Sequence, residues 1–66
     1  MMLKSEAEQE AIRRWRELPR HERKTPDQAA AFAHTLMADI EFETSADRYE
    51  FIKRWLQRDL SVRGGL

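Results

Sequence analysis

Sixty-six residues allow one small domain, and a chain this short buries only a modest core. Charged side chains make up 36% of the chain, yet twelve basic and twelve acidic residues cancel, so the strongly basic balance typical of nucleic-acid binders is absent. The chain has no cysteine, which excludes disulfides and thiolate metal ligands, and no apolar run approaches the length needed to cross a bilayer.

The first four residues read as a flexible start without the apolar core of a signal peptide, which points to the cytoplasm. Ser5, with Glu8 three residues on, predicts a capping box and a helix over about 6–18. Ala7, Ala11, Trp15 and Leu18 recur at helical spacing on one stripe, with Ile12 beside them. Pro19 ends this helix, because a residue before proline is pushed out of the α region. Residues 19–24 then form a short basic connection.

Thr25 is an N-cap residue, Pro26 suits the first helical position, and Gln28 completes a capping box. Asp27 adds negative charge where the helix dipole favours it. The alanines that follow have high helix propensity, so a second helix is predicted over about 26–40. Ala29, Phe32, Ala33, Leu36, Met37 and Ile40 share its apolar face.

An acidic link, Glu41-Phe42-Glu43, follows, with Phe42 as a core anchor. Thr44 or Ser45 can cap a third helix over about 45–60. Tyr49, Ile52, Leu56 and Leu60 form one stripe of it, and Phe51 and Trp55 a flanking one. Together these cover about half the circumference, so this helix should pack on both others. Arg48 and Asp59 fall inside the arc, where they either reach water at its ends or pair with a neighbouring helix. Residues 61–66, with Gly64-Gly65, read as a flexible tail. The expected architecture is all-α: a three-helix bundle over 5–60 around Ile12, Trp15, Phe32, Leu36, Ile40, Phe42, Tyr49, Ile52 and Leu56.

Charge is segregated along the chain. Residues 13–24 carry Arg13, Arg14, Arg16, Arg20, Arg23 and Lys24 against Glu17 and Glu22, net +4. Residues 25–50 carry Asp27, Asp39, Glu41, Glu43, Asp47 and Glu50 against Arg48, net −5. Such blocks are either solvated faces that complement one another or a basic surface for an anionic partner. Asp39, Glu41, Glu43, Ser45, Asp47 and Glu50 have the spacing of a calcium-binding EF-hand loop. Thr44, however, stands where the sharp turn wants glycine, and Phe42 suits a core, so the acidic link is read as structural. His21 and His34 are too far apart to form a metal-binding face, and the serines sit at caps or in the tail. With glycine confined to the C-terminal tail, there is no phosphate-binding loop. No enzyme, cofactor, metal or small-molecule substrate is expected.

The order of residues resembles one known family. Trp15 in the first helix is followed by Phe32-Ala33, then Asp39, Phe42, Tyr49, Ile52 and Trp55-Leu56. This pattern resembles the YozE-like group of small bacterial proteins, over roughly residues 12–57. Glu43 departs from the proline common in that family, and family members continue into a further helix. The resemblance implies a sterile-alpha-motif-like helical fold and assigns no functional residue.

The function expected is protein–protein interaction without catalysis, self-association included. Two Trp, three Phe, one Tyr and three Met are many for so small a core. Surface aromatics and Met beside Arg make interface hot spots, which nominates Met37, Phe51 and Trp55, with the basic Arg13, Arg16, Arg20, Arg23 and Lys24 as further interaction candidates. The alternative is a nucleic-acid-binding accessory protein, in which Arg13, Arg16, Arg20, Arg23 and Lys24 contact phosphates with help from the third helix.

Overall fold

The computed structural model describes residues 2–63, which form three α-helices and no strand. They are α1 (Lys4–Arg16), α2 (Pro26–Leu36) and α3 (Arg48–Arg63), with a 3₁₀ turn at Arg20–Glu22 between the first two. Among the described residues no helix is long and apolar enough to cross a membrane. Side-chain pairs fix how the helices run. Gln57 Nε2 donates to Pro26 O, His34 stacks on Tyr49 and Arg48 Nη2 donates to Met37 O, so α2 runs antiparallel to α3. Lys4 lies over Phe51, Arg58 reaches Glu8 and Arg16 reaches Asp59, so α1 runs in the same sense as α3.

The core holds Ala7, Ala11 and Trp15 of α1, Ala29, Ala33 and Leu36 of α2, and Ile52, Trp55 and Leu56 of α3. Ile40 and Phe42 of the link complete it. Four of these eleven are alanines, whose missing side-chain bulk lets the helices approach beside the large Trp15 and Leu36. Ile12, Phe32 and Tyr49, expected inside, are half-buried at the edge of this core.

The helix ends differ from expectation in ways that local chemistry explains. α1 starts before Ser5, because Glu6 Oε1 accepts from Leu3 N at 3.2 Å, and the chain ahead of it is tied down. Met2 N donates to Glu41 O at 2.9 Å, and Met2 and Phe42 form an isolated parallel bridge, so Met2 is held to the link and the stretch from 2 to 4 is not a free start. Glu8 is thereby released from capping to meet Arg58. α2 starts as the sequence predicts: Thr25 Oγ1 accepts from Gln28 N, and Gln28 Oε1 accepts from Thr25 N. It ends at Leu36 and not near Ile40, where three-residue bonds tighten the chain (Ala38 N to Thr35 O, Asp39 N to Leu36 O). That early turn sends both Ile40 and Phe42 inward. α3 starts at Arg48, since the capping oxygen is Asp47 Oδ1, which accepts from Tyr49 N at 2.9 Å. Thr44 accepts instead from Ala46 N in a local turn, and Ser45 caps nothing. The helix continues to Arg63, past the expected end, and the remainder of the expected tail, 64–66, lies outside the described residues.

Candidate interaction surface on the first helix

Of the three nominated apolar residues, Trp55 is buried and Phe51 and Met37 are half-buried against the core. Trp55 is only 5% exposed, which corrects its nomination as a surface contact. Phe42 folds back over it, with ring centroids 5.2 Å apart, and meets Phe51 edge-on at 6.2 Å. Phe51 is half-buried and carries the Lys4 ammonium 4.0 Å above its ring, a cation–π contact. Met37 is half-buried against the core, and its carbonyl is capped by Arg48, whose Nε is buried without a hydrogen-bond partner. Sequence periodicity shows the flanking stripe of α3 but not that the link supplies its cover.

The basic segment is divided. Glu10 accepts from Arg13 and from Arg14, both at 2.6 Å, and Arg14 also reaches Asp39. Hydrogen bonds from Arg13 and then Arg14 lower the Glu10 pKa from 4.5 to about 2. The same bonds raise both arginines above their usual values. Arg16 Nη2 donates to Asp59 Oδ1 at 2.6 Å, a hydrogen bond that also raises the Arg16 pKa. Asp59 is buried, so this pair gives the one buried carboxylate among the described residues its partner. Arg23 Nε donates to Leu18 O and fastens the 3₁₀ turn to the end of α1. Arg20 and Lys24 are exposed and have no carboxylate partner among the described residues.

The acidic residues of the link do not converge on a point. Asp39 faces Arg14, Asp47 caps α3 and Glu50 meets Lys53. Among the described residues no three His, Cys, Asp or Glu side chains are grouped to hold a metal ion.

What the geometry brings together lies on α1. An open groove of about 730 Å3 runs along its outer face from Ser5 to Glu17, with Glu8, Gln9, Ile12, Arg13 and Arg16 along it. Its floor is Ile12, half-buried and apolar, one helical turn from Glu8 on one side and from Arg16 on the other. The Glu8 side chain is 33% exposed and that of Arg16 46%, although each has an internal partner. A shallower hollow of about 300 Å3 lies where Leu18 and Phe32 meet Ala31 and Thr35 of α2. Sequence reasoning nominated Arg13 and Arg16 only as part of the basic segment, used Glu8 as a cap and passed over Gln9. Ile12 had been assigned to the core because it neighbours the apolar stripe. The segregation of charge along α1, glutamates first and arginines after, was the available signal.

Comparison of the chain with models of known protein families, with curated proteins and with solved structures found no match.

Proposed function

We propose that the chain is a small helical module that binds protein without catalysis, self-association included, through the outer face of α1. The observation that carries this reading is the groove itself, an apolar residue framed by arginine and glutamate side chains that stay accessible while anchored. An arginine-bearing patch with an apolar centre and a polar rim is the composition of interaction surfaces. Anchoring matters because a side chain already held in place loses less freedom on binding. The setting we infer is the cytoplasm, and the fold a sterile-alpha-motif-like bundle of the YozE-like kind. A solved structure of such a protein that fails to superpose on α1–α3 would remove that kinship.

Sedimentation across a range of concentrations, combined with capture on the immobilised chain, tests the binding reading. The expected result is a species heavier than the monomer, or a recovered protein, that is lost when Ile12→Arg replaces the groove floor. A strict monomer that recovers nothing contradicts it.

The second reading, nucleic-acid binding, keeps one supporting observation: Arg20 and Lys24 are exposed with no carboxylate partner among the described residues. Arg13, Arg14 and Arg16, by contrast, already face carboxylates. A labelled oligonucleotide titrated at low salt decides it, because a phosphate binder loses affinity steeply as salt rises. No binding at low salt ends the idea.

A further inference from the structure

We propose that the α1 groove is a seam between two copies of this chain, packed antiparallel about a twofold axis through Ile12. This rests on the protein-binding reading and gives it a partner and a geometry. The argument starts from spacing. Glu8, Ile12 and Arg16 are four residues apart, so they lie on one stripe of the helix, each about 6 Å from the next along the axis. Inverting a second copy about Ile12 sets Ile12 on Ile12, Glu8 on Arg16 and Arg16 on Glu8. The same patch then serves both partners, as a twofold interface requires. A parallel pairing in the same register sets Glu8 on Glu8 and Arg16 on Arg16, and like charges in contact are strongly disfavoured. The charge pattern therefore selects the antiparallel copy and rejects the parallel one.

Both charged residues have hydrogen-bonding capacity to spare. Arg16 directs one nitrogen, Nη2, at Asp59, and a guanidinium carries five N–H donors. Glu8 accepts from Arg58 through Oε2, and its other oxygen remains available. Their internal partners hold these side chains in place. Contact would thus extend each internal pair into a chain of alternating charge: Arg58, Glu8, then Arg16 and Asp59 of the second copy. Ile12 would complete its burial at the centre, where apolar contact is most effective. The adjoining stripe of α1 is committed, since Ala7, Ala11 and Trp15 are buried in the core. One pair of short helices makes a small interface, under about 1,200 Å2 in total, so the dimer belongs to the weak class. Its dissociation constant should be on the order of 10⁻⁴ M.

The absence of cysteine makes the test simple. A residue on a twofold axis sits beside its own copy, so the Ile12→Cys chain should form an intermolecular disulfide under mild oxidation much faster than an Ala31→Cys chain, whose site is exposed on α2. In parallel, Glu8→Gln, which leaves the Arg16–Asp59 pair intact but removes the charge that Arg16 of the second copy would meet, should weaken association at least about threefold, whereas Glu22→Gln, away from the groove, should leave it unchanged. Thermal melts establish that both variants fold. If Glu8→Gln does not, the cysteine comparison decides alone. Dimerisation of the unmodified chain with equal cross-linking from both cysteine sites overturns the geometry and leaves the binding reading standing. A monomer at millimolar concentration that still recovers a protein through Ile12 overturns the second copy as occupant. A monomer that recovers nothing overturns both.

Discussion

α1 carries Ala7, Ala11 and Trp15 on the side that meets the core, and Glu8, Ile12 and Arg16 on an adjoining side that is partly open to water and partly tied to α3. Both sets repeat every four residues, so periodicity alone marks two stripes of one helix. Composition separates their roles. Two alanines bring the helix close to its neighbours, and Trp15, 5.9 Å from Phe32 between ring centroids, supplies bulk where α1 passes α2. The outer stripe has one apolar residue between opposite charges, too little for a core and enough for a weak contact. Stability should therefore respond to the inner stripe and to Arg16, which pairs the buried Asp59, and association to Glu8 and Ile12 of the outer one.

Substitutions can break that division. The largest effect expected is from Trp15→Ala, which empties a fully buried site and should cost about 3–5 kcal/mol, enough to threaten the fold of so small a domain. Denaturant unfolding measures it, and a loss below about 1 kcal/mol would mean that the inner stripe does not carry the core. Ala11→Leu adds bulk where the helices approach and should cost about 1–3 kcal/mol by overpacking. On the outer stripe, Gln9→Ala should change stability by less than about 0.5 kcal/mol. A larger effect by the same measurement would show that this face is structural.

The smallest effect concerns pH. Glu10 has its pKa lowered from 4.5 to about 2 in the folded chain, first by Arg13 and then by Arg14. A lowered carboxyl pKa contributes stability that is present in full above 4.5 and is lost as the pH falls towards about 2. The melting temperature of Glu10→Gln should therefore fall less between those limits than that of the unmodified chain. Parallel melting curves for the two chains would place the pH sensitivity elsewhere.

The start of α2 was legible because its determinants are adjacent: Thr25, Pro26 and Gln28 act within one turn. Three helices and most of the core follow from apolar spacing in the same way. The link was not legible. Its path depends on Met2 pairing with Glu41, on Arg48 capping Met37 and on Phe42 covering Trp55, contacts between residues far apart in the chain. Trp55 therefore looked available for a partner when the link had already covered it. Asp59 was ambiguous for the same reason, since its partner Arg16 lies 43 residues away on another helix. Of the candidate surface, the order of charges on α1 was visible in the sequence. Which face stayed outside was not, because that depends on how α3 docks.

Amide chemical shifts followed as the concentration of the full chain is raised test the central claim most directly. Shifts should move at Glu8, Gln9, Ile12, Arg13 and Arg16 and stay fixed at Ala31, Thr35 and Ala38 on the other side of the bundle. Movement centred on α2 or the link, or none at millimolar concentration, would contradict the assignment of the outer face of α1 as a surface where this chain meets its own copy.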